Sequence, residues 1–478
     1  MVWVVGPKVK KLISVWGKVI EAPLNTFQLS IMMYSFKSFI SRAGVDYKVH
    51  QDRGVSWCLA NENRAEPAHG VRGGFIADEM GLGKTIMMLG VIVCNFACYK
   101  RTLLVLPNVL VGQWLKEIER SCAHKALVYH GSKKKSITRE MLESAPIVVT
   151  TYSAIGIPLK KLKAGGGGCA LHEVGWDRVV FDEAHHLRNR NGRFYGAKKL
   201  KSKAKWLISG TPVQNRKKDF FNLCSLLGFP MSFVVDEPEE LFRDYVLRRT
   251  KAGVGIDFEP LTVEQKEVSW NTENEKKCAK DVHAQMDMAL NKLRFIMFAR
   301  QTCILPQMLR EKNAASVGEG SSKMDAVFRS LGENKGNGNG KLVFCHFHQE
   351  IDFILARLRE IGYDRVASFD GRVSGPQKNK ILDSDLEVLV LQIQTGCEGL
   401  NLQKQYSEVY FVSPHWNPAV EEQAIARCHR IGQTKSVQVY KYCMDSFGEH
   451  DGTIEQYIFD TQQSKKDLSD ETFYSCVQ

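Results

Sequence analysis

The sequence predicts an α/β protein built from two parallel-sheet units, and three observations carry that prediction. A short apolar run, Phe75-Ile76-Ala77, leads into Asp78-Glu79-Met80-Gly81-Leu82-Gly83-Lys84-Thr85 and then into the apolar stretch Ile86–Val93, which reads as strand, tight loop and helix. Apolar runs of strand length then recur between helical stretches, at Thr102–Leu106, Ala126–Tyr129, Ile147–Thr150, Arg178–Phe181 and Lys205–Ile208. Strands alternating with helices imply a parallel sheet. After a polar stretch rich in Gly and Ser from Ala315 to Gly340, which reads as a linker with a short helix inside it, a second series begins at Lys341–Cys345. It continues through a helix over 349–361 and strands at Val366–Phe369, Val388–Leu391 and Val409–Phe411.

The first loop is phosphate-binding in character. Two glycines let the backbone curl with its N–H groups inward, and the following helix N-terminus adds partial positive charge that favours a polyphosphate. Lys84 would reach the β and γ phosphates of a nucleotide and the Thr85 hydroxyl would hold Mg²⁺, with Asp78, Gly81, Leu82 and Gly83 shaping the cradle. Asp78 stands where the usual loop has its first glycine. A glutamine upstream has both the donor and the acceptor needed to read an adenine edge. Gln51, in a stretch with apolar residues at helical spacing, is preferred over Gln28 because it precedes the loop more closely.

The strand Arg178–Phe181 ends in Asp182-Glu183-Ala184-His185. Acids at a strand's C-terminal end lie at the edge where such sheets bind ligands. Asp182 would hold Mg²⁺, directly or through water, and Glu183 would polarise the attacking water. Taken alone, the pair reads equally well as acids at a helix N-terminus. No second phosphate loop occurs in the later half, so a nucleotide shared between the halves would be bound by one and sensed by the other.

Composition narrows the class. At 478 residues the chain is too long for one ordinary core, and 44% hydrophobic with 25% charged residues describes a globular protein. The net charge of +12, from 65 basic and 53 acidic residues, suits a polyanionic partner, although charge alone fits a merely basic protein nearly as well. The 13 cysteines show no paired C-x-x-C arrangement, and Cys94 and Cys98 read as a core pair rather than a metal site, which implies an intracellular, reducing setting. Neither a signal peptide nor a membrane span is expected. Residues 1–45, with Lys8, Lys10, Lys11 and Lys18 among apolar residues, read as an extension with a solvated basic face.

The ordered strings GGFIADEMGLGKT, TLLVLP, VVTTY, FDEAHHLRN and LISGTPVQN resemble superfamily-two helicases of the SWI/SNF type, the fourth being a DEAH box. The second half agrees: Leu247–Lys251 resembles the exit from the first motor lobe, Arg300–Pro306 the helical connection, and Thr395-Gly396-Cys397-Glu398-Gly399-Leu400-Asn401-Leu402 the fifth motif, with Cys397 where a glycine is common. The string QAIARCHRIGQ, on a helix opened by Trp416-Asn417-Pro418, is very specific; Arg427 and Arg430 are three apart and would share a helix face as arginine fingers, where a surface salt-bridge face would otherwise be the plainer account. The likeness covers roughly residues 46–470.

The resemblance implies two RecA-like lobes: an extension over 1–45, a first, ATP-binding lobe over 46–250, a helical connection over 251–320 and a second lobe over 321–478. It implies ATP and Mg²⁺ as cofactors, double-stranded DNA as partner, with nucleosomes or other DNA-bound proteins as further partners, and DNA-stimulated ATP hydrolysis that drives translocation on duplex DNA. A strand-separating helicase and a catalytically silent nucleic-acid scaffold are the alternatives. Thr150, Thr151 and Thr395 are the DNA contacts it suggests. The wording is nearest the repair-associated branch that often inserts a RING finger, but 251–340 holds only Cys278 and Cys303, too few for a zinc module. A compact viral version fits, acting in the nucleus or at a cytoplasmic replication site.

Overall fold

The computed structural model describes residues 36–474 apart from 165, 211–216, 256–257, 289–291, 310–320, 397–399 and 450. Gln28, the basic stretch of the N-terminal extension, the TPVQN string and Cys397 therefore lie outside the described residues. The chain divides into two compact units, the first drawn from Met1–Asp78, Gly83–Pro212 and Phe220–Arg248, the second from Glu79–Leu82, Val213–Asp219 and Arg249–Gln478.

The first unit opens with helices α1 (Phe36–Ala43) and α2 (Val49–Glu62), then strand β1 (Gly73–Ile76), helix α3 (Lys84–Cys94), strand β2 (Thr102–Leu106) and helix α4 (Val111–Cys122). Strands β3 (Leu127–Tyr129), β4 (Ile147–Thr151), β5 (Gly175–Asp182), β6 (Lys201–Ile208) and β7 (Val246–Leu247) complete a seven-stranded sheet in the order β3-β4-β2-β5-β6-β1-β7, parallel throughout. Every residue of β2 and β4 is buried, as expected for strands covered on both faces. α1 lies within the stretch read as a solvated extension, yet Phe36, Phe39 and Ile40 are buried in the core formed with α2, α3 and α4. The close approach needs a glycine: a Cβ on Gly90 of α3 would lie 2.7 Å from the Phe36 ring and 3.1 Å from Val55.

The second unit carries strands β8 (Leu261–Val268), β9 (Gly340–Cys345), β10 (Val366–Phe369), β11 (Val388–Gln392), β12 (Tyr406–Phe411) and β13 (Val437–Met444) in the order β10-β11-β9-β12-β13-β8, again parallel. Helices α5 (Lys292–Ile304), α6 (His348–Glu360), α7 (Pro418–Ile425) and α8 (Ile454–Tyr474) flank it, with separate apolar cores on its two faces. β8 falls within the stretch read as a helical connection. It is exposed at most positions and gives no apolar run, so only its register with β13 makes it the edge strand. The short helix expected within the Gly- and Ser-rich stretch is Ser322–Glu333, and it is packed into the core of this unit, with Met324, Val327 and Leu331 at 1% exposure or less. Among the described residues no helix is long and apolar enough to cross a membrane, and every described cysteine is a free thiol.

Candidate nucleotide site and the arginine segment

The loop between β1 and α3 owes its shape to glycines at both ends. Gly73 and Gly74 have φ of 102° and 151°, and a Cβ on them would lie 2.0 Å from the Lys205 carbonyl oxygen and 2.5 Å from that of Tyr245. β1 can therefore slot between β6 and β7 only without side chains there. Gly81 and Gly83 are also left-handed, at φ 94° and 82°, and Gly83 is the residue that starts α3, its carbonyl accepting the Met87 N–H at 3.1 Å. Asp78 and Leu82 are each 1% exposed. The Lys84 ammonium donates to the Asp78 carbonyl at 2.8 Å, folded back over its own loop. Thr85 sits half-buried in the first turn of α3. Gln51 of α2 is 3% exposed, and its Nε2 would be 2.3 Å from a Cβ on Gly83, so the glutamine amide lies directly against the loop.

At the end of β5, Asp182 is held from three sides. Its Oδ2 accepts the Trp114 indole N–H from α4 at 2.8 Å, its Oδ1 accepts the Glu183 backbone N–H at 3.0 Å, and its carbonyl accepts the Tyr152 hydroxyl at 2.6 Å. Burial, seconded by the neighbouring Glu183 carboxylate, pushes its carboxyl up to about 7, against the opposing pull of Lys84. Glu183 has φ 50° and ψ 51°, a left-handed conformation in which a residue with a Cβ stores about 1–2 kcal/mol. Its Oε2 lies 3.3 Å from His185 Nδ1, and His185 stacks on His186 at 4.7 Å. The Trp114, Tyr152 and His185 contacts were not foreseen from the sequence, because nothing in their spacing marks them as neighbours of the acid pair.

The residues fit a magnesium-bound polyphosphate. A deeply buried carboxylate whose hydrogen-bond partners are neutral N–H donors is only partly offset by the Lys84 charge, and a divalent ion beside it would complete the compensation. Among the described residues no group of three or more His, Cys, Asp or Glu side chains could hold a metal. A Mg²⁺ beside Asp182 would need only one or two protein groups, with water and phosphate oxygens completing its shell.

In the second unit, the shared helix face expected of Arg427 and Arg430 does not form, because α7 ends at Ile425. The Arg427 N–H bonds Ala424 O at 3.1 Å and the Cys428 N–H bonds Ile425 O at 3.0 Å, tight turns in place of α-helical spacing. The Gln423 carbonyl, which a continuing helix would give to the Arg427 N–H, instead accepts Arg427 Nε at 3.0 Å. Arg427 is 8% exposed and its own carbonyl accepts the Leu402 N–H at 3.1 Å. Arg430 is half-buried and donates through Nη1 to Asn401 Oδ1. Both arginines are thereby tied to the strand-end loop that carries the fifth motif.

The threonines are placed less favourably for DNA. Thr150 is fully buried and donates to the Tyr129 carbonyl at 2.8 Å; Thr151 is 1% exposed and lies 3.0 Å from Ser153 Oγ and 3.4 Å from His130 Nδ1. Their hydroxyls serve the sheet edge, and Ser153 is the exposed neighbour. Thr395 falls in the short helix Ile393–Gly396, its side chain outside the described residues.

Residues 50–287 match the model of the SNF2-related domain and residues 322–432 that of the helicase conserved C-terminal domain. The chain is 28% identical over 466 residues to the probable global transactivator of Orgyia pseudotsugata multicapsid polyhedrosis virus, covering 89% of this chain and 91% of that one. It is 28% identical to the chromodomain-helicase-DNA-binding protein 8 of Danio rerio over 83% of this chain but 18% of that protein, and it spans less than half of the bacterial ATP-dependent helicases it matches. Among solved structures it is similar to the Sulfolobus solfataricus SWI2/SNF2 ATPase core in complex with dsDNA, at 23% identity, 91% and 94% coverage and a TM-score of 0.39. Two parallel sheets, a glycine-cradled lysine loop, an acid pair at a strand end of the same sheet and both domain matches agree: the chain belongs to the SNF2-type helicase-like ATPases, which use ATP with Mg²⁺.

Proposed function

We propose that this ATPase is stimulated by duplex DNA and converts hydrolysis into movement along it, with lobes over 46–250 and 321–478 joined by the connection over 251–320. The observation that carries the nucleotide half is the gathering of Gln51, the Gly83–Lys84 turn and the Asp182–Glu183 pair in one unit, with Lys84 close enough for its charge to act on Asp182. Gln51 reads the adenine edge. Lys84 leaves the Asp78 carbonyl for phosphate oxygens, a charge-assisted bond replacing a neutral one. Thr85 and Asp182 would hold Mg²⁺, which would supply positive charge where negative charge builds on the phosphates. Glu183, aimed by its left-handed backbone and its contact with His185, takes the proton of the attacking water. Arg427 and Arg430 are the groups of the second unit suited to the charge that builds on the γ phosphate.

Duplex DNA is supported by the +12 charge and by the DNA-binding name of the Danio rerio relative. Contacts through phosphates suit a motor, since they are indifferent to sequence and releasable at each step. The nucleus, or a viral replication site, is where such an activity would operate. The deciding experiment measures phosphate release with no DNA, single-stranded DNA and duplex DNA, alongside strand separation on a forked substrate and displacement of a bound triplex strand. Duplex-selective stimulation with triplex displacement and no unwinding is the expected result. Unwinding of the fork would favour the helicase reading, and zero turnover in folded protein would favour the scaffold.

A further inference from the structure

The three elements that carry the nucleotide site, α2, α3 and β5, converge again at their far ends on a buried ion pair. Glu62 is the last residue of α2 and Arg178 lies in β5, and both side chains are fully buried. Arg178 Nε donates to Glu62 Oε1 at 2.5 Å and its Nη2 to Oε2 at 2.6 Å. Asn95, which caps α3, donates its amide to Oε2 at 2.7 Å, and the Trp206 indole of β6 donates to Oε1 at 2.9 Å. Arg178 Nη1 donates to Thr102 Oγ1 of β2 at 2.9 Å, and its guanidinium lies 5.0 Å over the Tyr99 ring. The Glu62 carbonyl takes the Tyr99 hydroxyl at 2.7 Å and Arg72 Nη1 at 3.1 Å.

Stability does not account for this pair, because replacing a buried ion pair by apolar residues of similar volume is often neutral or stabilising. Its value lies in geometry. Gln51, Val55, Cys58 and Glu62 follow one another at helical spacing on the buried face of α2, so the pair fixes the far end of the rod that carries Gln51, about 16 Å away. Arg178 and Asp182 are four residues apart in β5 and share one face of the strand. Asn95 closes the helix that Lys84 opens. We infer that Glu62 and Arg178 are positioning residues that set the Gln51 amide against the phosphate loop and thereby determine selectivity for the adenine base. This rests on the reading of Gln51 as the group that meets adenine.

The test measures Mg²⁺-dependent binding of the non-hydrolysable imido analogues of ATP and GTP, with inorganic tripolyphosphate as a base-free probe. Wild type is expected to prefer the adenine analogue at least tenfold, and Gln51→Ala to bring the ratio to about two or less. Glu62→Gln should lower the ratio at least threefold while tripolyphosphate affinity stays within twofold, a pattern that simple loss of stability does not produce. If Glu62→Gln does not fold, Trp206→Phe, which keeps an aromatic ring in the core but removes the indole donor to Glu62, carries the same comparison. A preference lost in Gln51→Ala but kept in the Glu62→Gln or Trp206→Phe protein overturns the inference alone. A preference that survives Gln51→Ala, or is absent from wild type, overturns the reading of Gln51 and the inference with it.

Discussion

Lys84 and Glu183 are each held by neighbours in ways that separate binding from chemistry. Lys84 donates to the neutral Asp78 carbonyl and its charge also acts on Asp182, and Lys84→Ala takes away the cation proposed to meet the phosphates. ATP affinity should fall by at least tenfold, read by calorimetric titration on protein shown to be folded by thermal unfolding. Glu183→Gln keeps the size and left-handed backbone but cannot take a proton, so ATP should still bind while turnover falls by roughly 10²–10⁴. Turnover close to wild type in that variant would remove Glu183 from the role of base. The identities of these residues were legible in the sequence because Gly-Lys-Thr and Asp-Glu each follow an apolar strand. The setting of Asp182 was not, since the indole of Trp114 reaches it across 68 residues of chain.

Elements explain why some expectations failed. Helical spacing placed Arg427 and Arg430 on one face, but a side chain took the carbonyl that the next backbone N–H would have used, and the helix stopped. Local pattern cannot foresee such competition. The same limit hid β8, whose charged, exposed sequence becomes a strand only through pairing with β13. At β1 the pattern held, and its cause is steric. Gly73→Ala should cost about 2–4 kcal/mol, since a methyl group would meet the Lys205 carbonyl at a φ that alanine avoids; urea melts would read it. On α6, Glu350 is fully buried, accepting the His346 and Phe347 N–H groups at 2.8 and 3.0 Å, and burial pushes it up to about 7. That lies above the ordinary value of about 4.3, so between the two the folded chain holds a proton the unfolded chain has lost. The stability Glu350 contributes is therefore present at low pH and lost as pH rises toward 7. Glu350→Gln, neutral throughout, should gain on wild type from pH 4 to pH 7 and hold that gain above; a difference independent of pH would refute the assignment.

For the whole molecule, the alternation of apolar runs and helices was enough to read two parallel sheets, because buried strands need no partner information to be recognised. The setting of Arg427 and Arg430 was not readable from local spacing. Their segment is fixed within its own unit by bonds to Gln423, Leu402 and Asn401, so its geometry is set before any nucleotide arrives. A preformed guanidinium group gives transition-state stabilisation without reorganisation at the moment of reaction. If the second unit supplies it to a nucleotide held by the first, Arg430→Ala should retain ATP affinity and lose roughly 10³-fold or more in DNA-stimulated turnover. Asn401→Ala, which releases the Arg430 fork without removing its charge, should fall between wild type and Arg430→Ala. Two results would argue against trans-acting arginines: near-normal turnover in Arg430→Ala, or an Asn401→Ala protein as slow as Arg430→Ala. The first would leave the charge without a function. The second would mean that Asn401 itself, rather than the guanidinium it orients, governs the reaction.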